Sequence, residues 1–168
     1  MAQNPQNAQF HSFVDYLPDH PQGIVIPQPV YQAPPGTPFV PHQPIRFETD
    51  GGLGLPLQTA LVQPIQGLHN AGTVFNLANG SNRHSIRILW PGYEPWNYPN
   101  ALHTGPRTRA EIAHEVAGRV LAFHQGMVQA QGNEGDWTLQ NSPFQNLYLI
   151  ELRNVSKGSW QPVISRSV

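Results

Sequence analysis

The chain has no cysteine, and only 11% of its 168 residues are Asp, Glu, Lys or Arg. Without a thiol, disulfides, thiolate zinc sites and cysteine nucleophiles are excluded. A globular chain usually carries about a quarter charged residues, so this one stays polar through Gln, Asn, Ser and His and through backbone left open by Pro and Gly. The formal net charge is −1, which points to no strongly charged partner. Also missing are a run of about 18 apolar residues, as a membrane-spanning helix requires, and a charged-then-apolar leader of the secretory type. No membrane partner is therefore expected.

What is present is proline, 18 residues of it, unevenly placed. Ten prolines and seven glutamines lie in residues 1–45, where the only charges are Asp15 and Asp19. Proline fixes φ and removes a donor, so the spacing Pro27, Pro29, Pro34, Pro35, Pro38, Pro41, Pro44 forbids helix and central strand and favours polyproline II. This composition reads as a flexible or extended tail over 1–45. Its apolar islands are Phe10 with Phe13, Val14, Tyr16 and Leu17, then Ile24-Val25-Ile26, then Val30-Tyr31. They serve either as docking points, including a strand lent to the domain or to a second copy, or as isolated hydrophobes on a solvated leader.

Residues 46–168 read as a single α+β domain, a small antiparallel or mixed sheet packed by one long helix. Leu57–Val62 is a short strand candidate between Pro56 and Pro64. Asn70–Leu77 and His84–Trp90 read as a hairpin through Asn79-Gly80, with Ile86, Ile88 and Trp90 on one face. The clearest helix begins at Thr108, whose spacing to Glu111 is that of a capping box, and carries Ile112, Val116, Val120, Phe123 and Met127 on one stripe. Glu115 and Arg119 are placed to pair on its other side. Gly118 and Gly126 each cost about 1 kcal/mol against Ala, so a neighbour packs closely at Gly118 or the helix frays beyond Gln125. Leu147–Val155 reads as a central strand with Tyr148, Ile150 and Leu152 on one face.

Two segments carry binding chemistry. Trp90-Pro91-Gly92-Tyr93-Glu94-Pro95-Trp96-Asn97-Tyr98-Pro99 sets four large aromatics in a rigid corner, a groove for a proline-rich peptide, a cation cage or a stacking platform. The competing reading makes Trp90 and Trp96 a lid on the core. Asn154-Val155-Ser156-Lys157-Gly158-Ser159-Trp160-Gln161-Pro162 holds the sole lysine and is either a weak anion turn or a hairpin that returns Trp160 to the core. The candidate binding residues are Trp90, Tyr93, Trp96, Tyr98, Lys157, Trp160, Arg87 and Arg109.

The block Trp90-Pro91-Gly92-Tyr93 with Trp96, then Arg109, Ile112, Ala113, Val116, Ala117 and Phe123, then Leu147–Leu152 running into Val155-Ser156-Lys157-Gly158-Ser159-Trp160-Gln161-Pro162, resembles a domain that recurs in uncharacterised proteins of mushroom-forming fungi. The resemblance covers residues 84–164. It implies a cytoplasmic or nuclear fungal protein, names no catalytic residue, and suggests that both tryptophan segments belong to one fold.

Enzyme chemistry finds little footing. There is no His-Glu-x-x-His or Gly-x-Ser-x-Gly, and His114 and His124, ten apart on the helix, stand about 15 Å apart along its axis. A set drawn from Ser156, His84 or His103, and Glu151 exists only on paper. Arg83, Arg87, Arg107, Arg109, Arg153, Lys157 and Arg166 form a basic and aromatic set, but the domain balance falls far short of a phosphate tracker. The expectation is a non-catalytic protein-interaction or self-assembly module with a protein or a second copy as partner and neither cofactor nor metal. A nucleic-acid-binding or regulatory surface is the alternative, and a small enzyme of unknown class the second.

Overall fold

The computed structural model describes residues 20–77, 83–103, 105–130 and 135–168. The island Phe10–Leu17 and the Asn79-Gly80 turn lie outside them. A seven-stranded mixed sheet is built on one long hairpin, β10 (Leu147–Ser156) and β11 (Ser159–Arg166), which turns at Lys157-Gly158. Each outer side of the hairpin is shared by two elements. Beside β10 run β2 (Ile45–Arg46) and β5 (Leu55–Pro56), both antiparallel. Beside β11 run β1 (Ile24–Val25), antiparallel, and β7 (His84–Ile88), parallel. β8 (Trp96–Leu102) pairs with β7 and ends the sheet. The fold is α+β, with one long helix, α2 (Arg109–Met127), across one sheet face.

Helix α2 begins as its sequence demands. Thr108 Oγ1 accepts from the Glu111 amide at 3.1 Å and Glu111 Oε2 accepts from the Thr108 amide at 2.8 Å. That contact also holds the Glu111 carboxyl below its usual range. Ile112, Ala113, Val116, Ala117, Val120 and Phe123 are buried, and the helix ends at Met127. The close neighbour is at Gly126, where an added Cβ would meet the Trp96 ring at 3.3 Å, and not at Gly118, which faces open space. Glu115 pairs with Arg107 at 3.3 Å and His103 at 3.0 Å instead of Arg119, which lies over the Tyr98 ring.

Three further expectations are corrected. Leu57–Ala60 is a helical turn, α1, because Leu57 and Ala60 are both buried, and residues three apart share a face only when the chain coils. Its terminal carbonyl, Ala60 O, bonds His114 Nδ1 at 3.0 Å. The Val74–Asn76 strand, β6, does not pair with β7; it pairs with β9 (Pro106–Thr108). β7 has both edges occupied, by β8 and β11, so the aromatic segment 90–99 supplies the turn from β7, with Gly92 at φ 81°, and from Trp96 onward the first residues of β8. Two further short strands, β3 (Glu48–Thr49) and β4 (Gly52–Leu53), pair beside the main sheet.

The third correction is in β10. A register shift between Leu149 and Glu151 inserts Ile150 as an extra residue, and a bulge reverses the facing of the residues beyond it. Leu152 therefore packs with Leu147 and Leu149 in the helix-side core, while Tyr148, Ile150 and Val155 lie in a second cluster. That cluster also contains Val25, Val30 and Val163, with Tyr31 against it. The sheet is thus covered on both faces, by α2 on one and by Val25, Val30 and Tyr31 on the other, while Ile26 and Ile45 of the same N-terminal segment join the helix-side core.

Candidate functional site

The face opposite α2 is formed by a strap, residues 22–32, whose polar groups are tied to the sheet. Its backbone enters at Gln22, where Nε2 donates to Gly54 O at 2.8 Å and the carbonyl accepts from Ser165 Oγ. Gly23 at φ 76° lies so close to Arg166 that a Cβ there would sit 2.3 Å from the Arg166 carbonyl oxygen. The Ile26 amide then donates to Ile164 O at 2.9 Å. Gln28, fully buried, spans the gap where β7 and β11 part. It donates to Pro162 O at 2.9 Å and accepts from the Leu89 amide at 3.0 Å. Gln161, also fully buried, answers from β11, donating to Pro29 O at 2.8 Å and accepting from the Tyr31 amide at 2.9 Å. Pro27 and Pro29 flank Gln28 without amides of their own, so side-chain amides supply the bonds a strand would have made.

Under the strap layer lies a buried ion pair. Glu151 and Arg153 are 2% and 3% exposed, with Oε1 to Nε at 3.7 Å. Arg46 stands opposite Glu151 across β2 and β10. Burial pushes the Glu151 carboxyl above its usual range, and Arg153, then Arg46, oppose that shift. On the helix side, Trp160 is fully buried. Its Nε1 donates to His84 Nδ1 at 3.2 Å, and the His42 ring lies 5.5 Å away. The His42 amide donates to Asn154 Oδ1 at 3.1 Å. Burial lowers the His84 pKa.

The candidate residues do not converge on one place. Trp90 is buried, with Nε1 donating to Trp137 O at 2.6 Å and its ring 5.9 Å from Phe123. The Tyr93 hydroxyl accepts from the Leu139 amide at 2.9 Å. Trp96 packs on Phe123 and Tyr98, each ring 5.7 Å away, and is half-buried like Tyr98. The corner thus caps the core beside α2 and leaves part of Trp96 and Tyr98 in reach of solvent. Lys157 is exposed at the hairpin tip, remote in sequence pairing from the corner. Arg87 lies on the strap side, 3.9 Å over the Tyr31 ring, with Nε donating to Ser159 Oγ at 2.8 Å. Arg109 donates to Asn70 O at 3.0 Å and lies over Phe75.

The paper triad is not assembled either. His84 faces Trp160 on the helix side, His103 pairs with Glu115, and Glu151 lies with Arg153 on the opposite face. A surface depression of about 370 Å³ is lined by Pro56, Gln58, Thr59, Val62, Pro64, Gln66 and Gln145 and contains no titratable group. Among the described residues no three His, Asp or Glu side chains gather as a metal group, and no helix is long and apolar enough to cross a membrane. The residues that sequence reasoning passes over are Gln22, Gln28, Gln161 and Ser165. Hydropathy scores them as surface, and their only sequence signal is the placement of Gln22 and Gln28 beside the apolar islands Ile24–Ile26 and Val30-Tyr31.

Fold and site together define a two-faced α+β sheet protein whose second face is closed by its own proline- and glutamine-rich strap. No family model, curated protein or solved structure matches the chain.

Proposed function

We propose that the protein is a non-catalytic interaction module that self-associates by exchanging its strap between copies. The observation that carries this reading is the way the strap is held. Gln22, Gln28, Gln161 and Ser165 bind backbone groups in a fixed register, and the strap of a second copy presents the same groups. The strap joins β2 through residues 33–44, a connector largely exposed to solvent. Exchange of an identical element across such a connector is a low-cost route to a dimer, because every hydrogen bond opened within one chain re-forms between two. The half-buried Trp96 and Tyr98 on β8, the last strand of the sheet, offer a second protein-binding surface.

Nucleic-acid binding has less support. Arg87, Arg107, Arg109, Arg119 and Arg166 are engaged in contacts within the chain, so few cations stand ready for phosphates. The absence of native cysteine gives a clean test. Ile24 and Arg166 are cross-strand partners, and Ile24→Cys with Arg166→Cys places a thiol on each. After unfolding, refolding at high concentration and oxidation, non-reducing electrophoresis is expected to show a disulfide-linked dimer. Closure solely within monomers overturns strap exchange.

A further inference from the structure

We infer that residues 37–44 are a preformed polyproline ligand, displayed for a partner domain whose groove has two adjacent aromatic-walled pockets for x-Pro dipeptides, the SH3 type. This inference does not depend on strap exchange.

The evidence is a burial pattern of period three. Phe39, His42 and Ile45 form the inward series: Phe39 and His42 are half-buried and Ile45 is fully buried. His42 is held by the Trp160 ring and by Asn154. Thr37, Val40 and Gln43 form the outward series, all exposed, Val40 at 81%. Pro38, Pro41 and Pro44 form the third, exposed at Pro38 and half-buried at the other two. A polyproline II helix has three residues per turn and therefore three such ridges. The segment forms neither helix nor strand, and three prolines without amides make it a poor partner for any sheet edge.

One ridge is anchored, one faces outward, and the proline ridge lies between them, open at Pro38 and half-buried at Pro41 and Pro44, so three x-Pro units follow one side of the segment: Thr37-Pro38, Val40-Pro41 and Gln43-Pro44. At about 3.1 Å per residue, successive units stand about 9 Å apart. Aromatic-lined grooves that read proline-rich ligands take such units and gain from a ligand that is already ordered. Here the order is supplied at both ends. At the start, Pro35 and Gly36, the latter at φ 87°, make a turn closed by Thr37 Oγ1 donating to Pro34 O at 2.6 Å. At the end, Ile45 enters the core and Arg46 enters β2. The cation nearest in sequence is thereby committed to the sheet, so recognition rests on the uncharged x-Pro units. Val40, a large and exposed apolar side chain, is their centre.

The test uses the full-length protein against an array of purified SH3 and WW domains, with binding read by fluorescence anisotropy. The expected result is that at least one SH3 domain binds. Val40→Asp and Pro38→Ala, both at exposed positions, are each expected to weaken it about tenfold or more, as loss of a central anchor does, with the thermal midpoint unchanged. A variant outside the segment, Gln66→Ala, is expected to bind as the parent does. Absence of SH3 binding, binding to WW domains alone, or SH3 binding that survives both substitutions overturns the inference.

Discussion

Trp160 and His84 share one hydrogen bond, and its direction sets the protonation state of the imidazole. An indole nitrogen only donates, so His84 Nδ1 accepts and the ring is neutral with its proton on Nε2, which is buried without a partner. Protonating Nδ1 would set a donor against a donor in a buried site. The folded-state pKa accordingly lies below the ordinary value of 6.5. The unfolded chain then binds the proton more readily, so this contribution is complete above pH 6.5 and is lost as pH falls from there through the folded-state value. In His84→Asn an amide oxygen replaces Nδ1 as acceptor and titration disappears. Thermal midpoints from pH 7.5 to 5 are expected to fall more steeply for the parent than for this variant; parallel curves would refute the assignment. Glu151 has the opposite sign. Its raised pKa means that its contribution is complete below 4.5 and is lost as pH rises through the folded-state value. The attraction of Arg153 and Arg46 is already outweighed there by the cost of burying the carboxylate. Glu151→Gln carries no charge at any pH, so chemical denaturation is expected to show the parent losing stability relative to this variant as pH rises from 4.5 towards neutral, and curves that stay parallel would overturn the assignment. Neither role is readable from sequence. His84 and Glu151 look there like pieces of a reactive set, since nothing marks a titratable residue as facing an indole or an arginine across a sheet.

Local signals with a fixed span were legible, and pairings across the chain were not. The α2 cap is written in two residues three apart, Thr108 and Glu111, and the helix-side stripe runs on from it at helical spacing. The alternation of β7 was equally plain, with His84, Ile86 and Ile88 inward. Its partners were hidden, because a strand apolar on one face says nothing of which edge meets which. The bulge at Ile150 was hidden for a related reason: Tyr148, Ile150 and Leu152 alternate in sequence, and only the pairing with β11 shows the phase change. In the strap, polar side chains replace missing amides, and two substitutions probe this. Gln28→Ala leaves the Pro162 carbonyl and the Leu89 amide without their bonds and is expected to cost about 2 kcal/mol or more. Gly23→Ala demands a left-handed conformation of a residue with a Cβ and drives that Cβ into the Arg166 carbonyl. It is expected to cost more than the about 1 kcal/mol typical of a left-handed alanine, and to raise hydrogen exchange at Ile26 while leaving α2 amides protected. Uniform loss of protection would mean that the strap and the body unfold as one unit.

The prolines and the scarcity of charge acquire a joint meaning once the strap is seen on the sheet. A β-face that bears Ile150, Val155, Val163 and the Glu151–Arg153 pair cannot be left to water, and the chain covers it with a segment almost devoid of charge. Charged residues there would have added desolvation costs beside an ion pair that already carries one. Prolines reduce the entropy lost when so irregular a segment is ordered, and glutamines bind without bringing charge. Val25 and Val30 are buried in that face and Ile26 in the helix-side core, each worth about 1.5–3 kcal/mol on burial, a gross sum comparable to the net stability of a typical domain, about 5–15 kcal/mol. Two shortened chains separate the strap from the residues before it. A chain starting at His20 keeps every described residue and serves as the reference. One starting at Arg46 is expected to lose cooperative unfolding and to bind an apolar dye through its uncovered face. Adding a synthetic peptide of residues 20–45 to that second chain is expected to restore the transition, because the strap's bonds depend on register and not on covalent continuity. A chain from Arg46 that melts as sharply and as high as the full sequence would show that the strap is an ornament on a face stable without it.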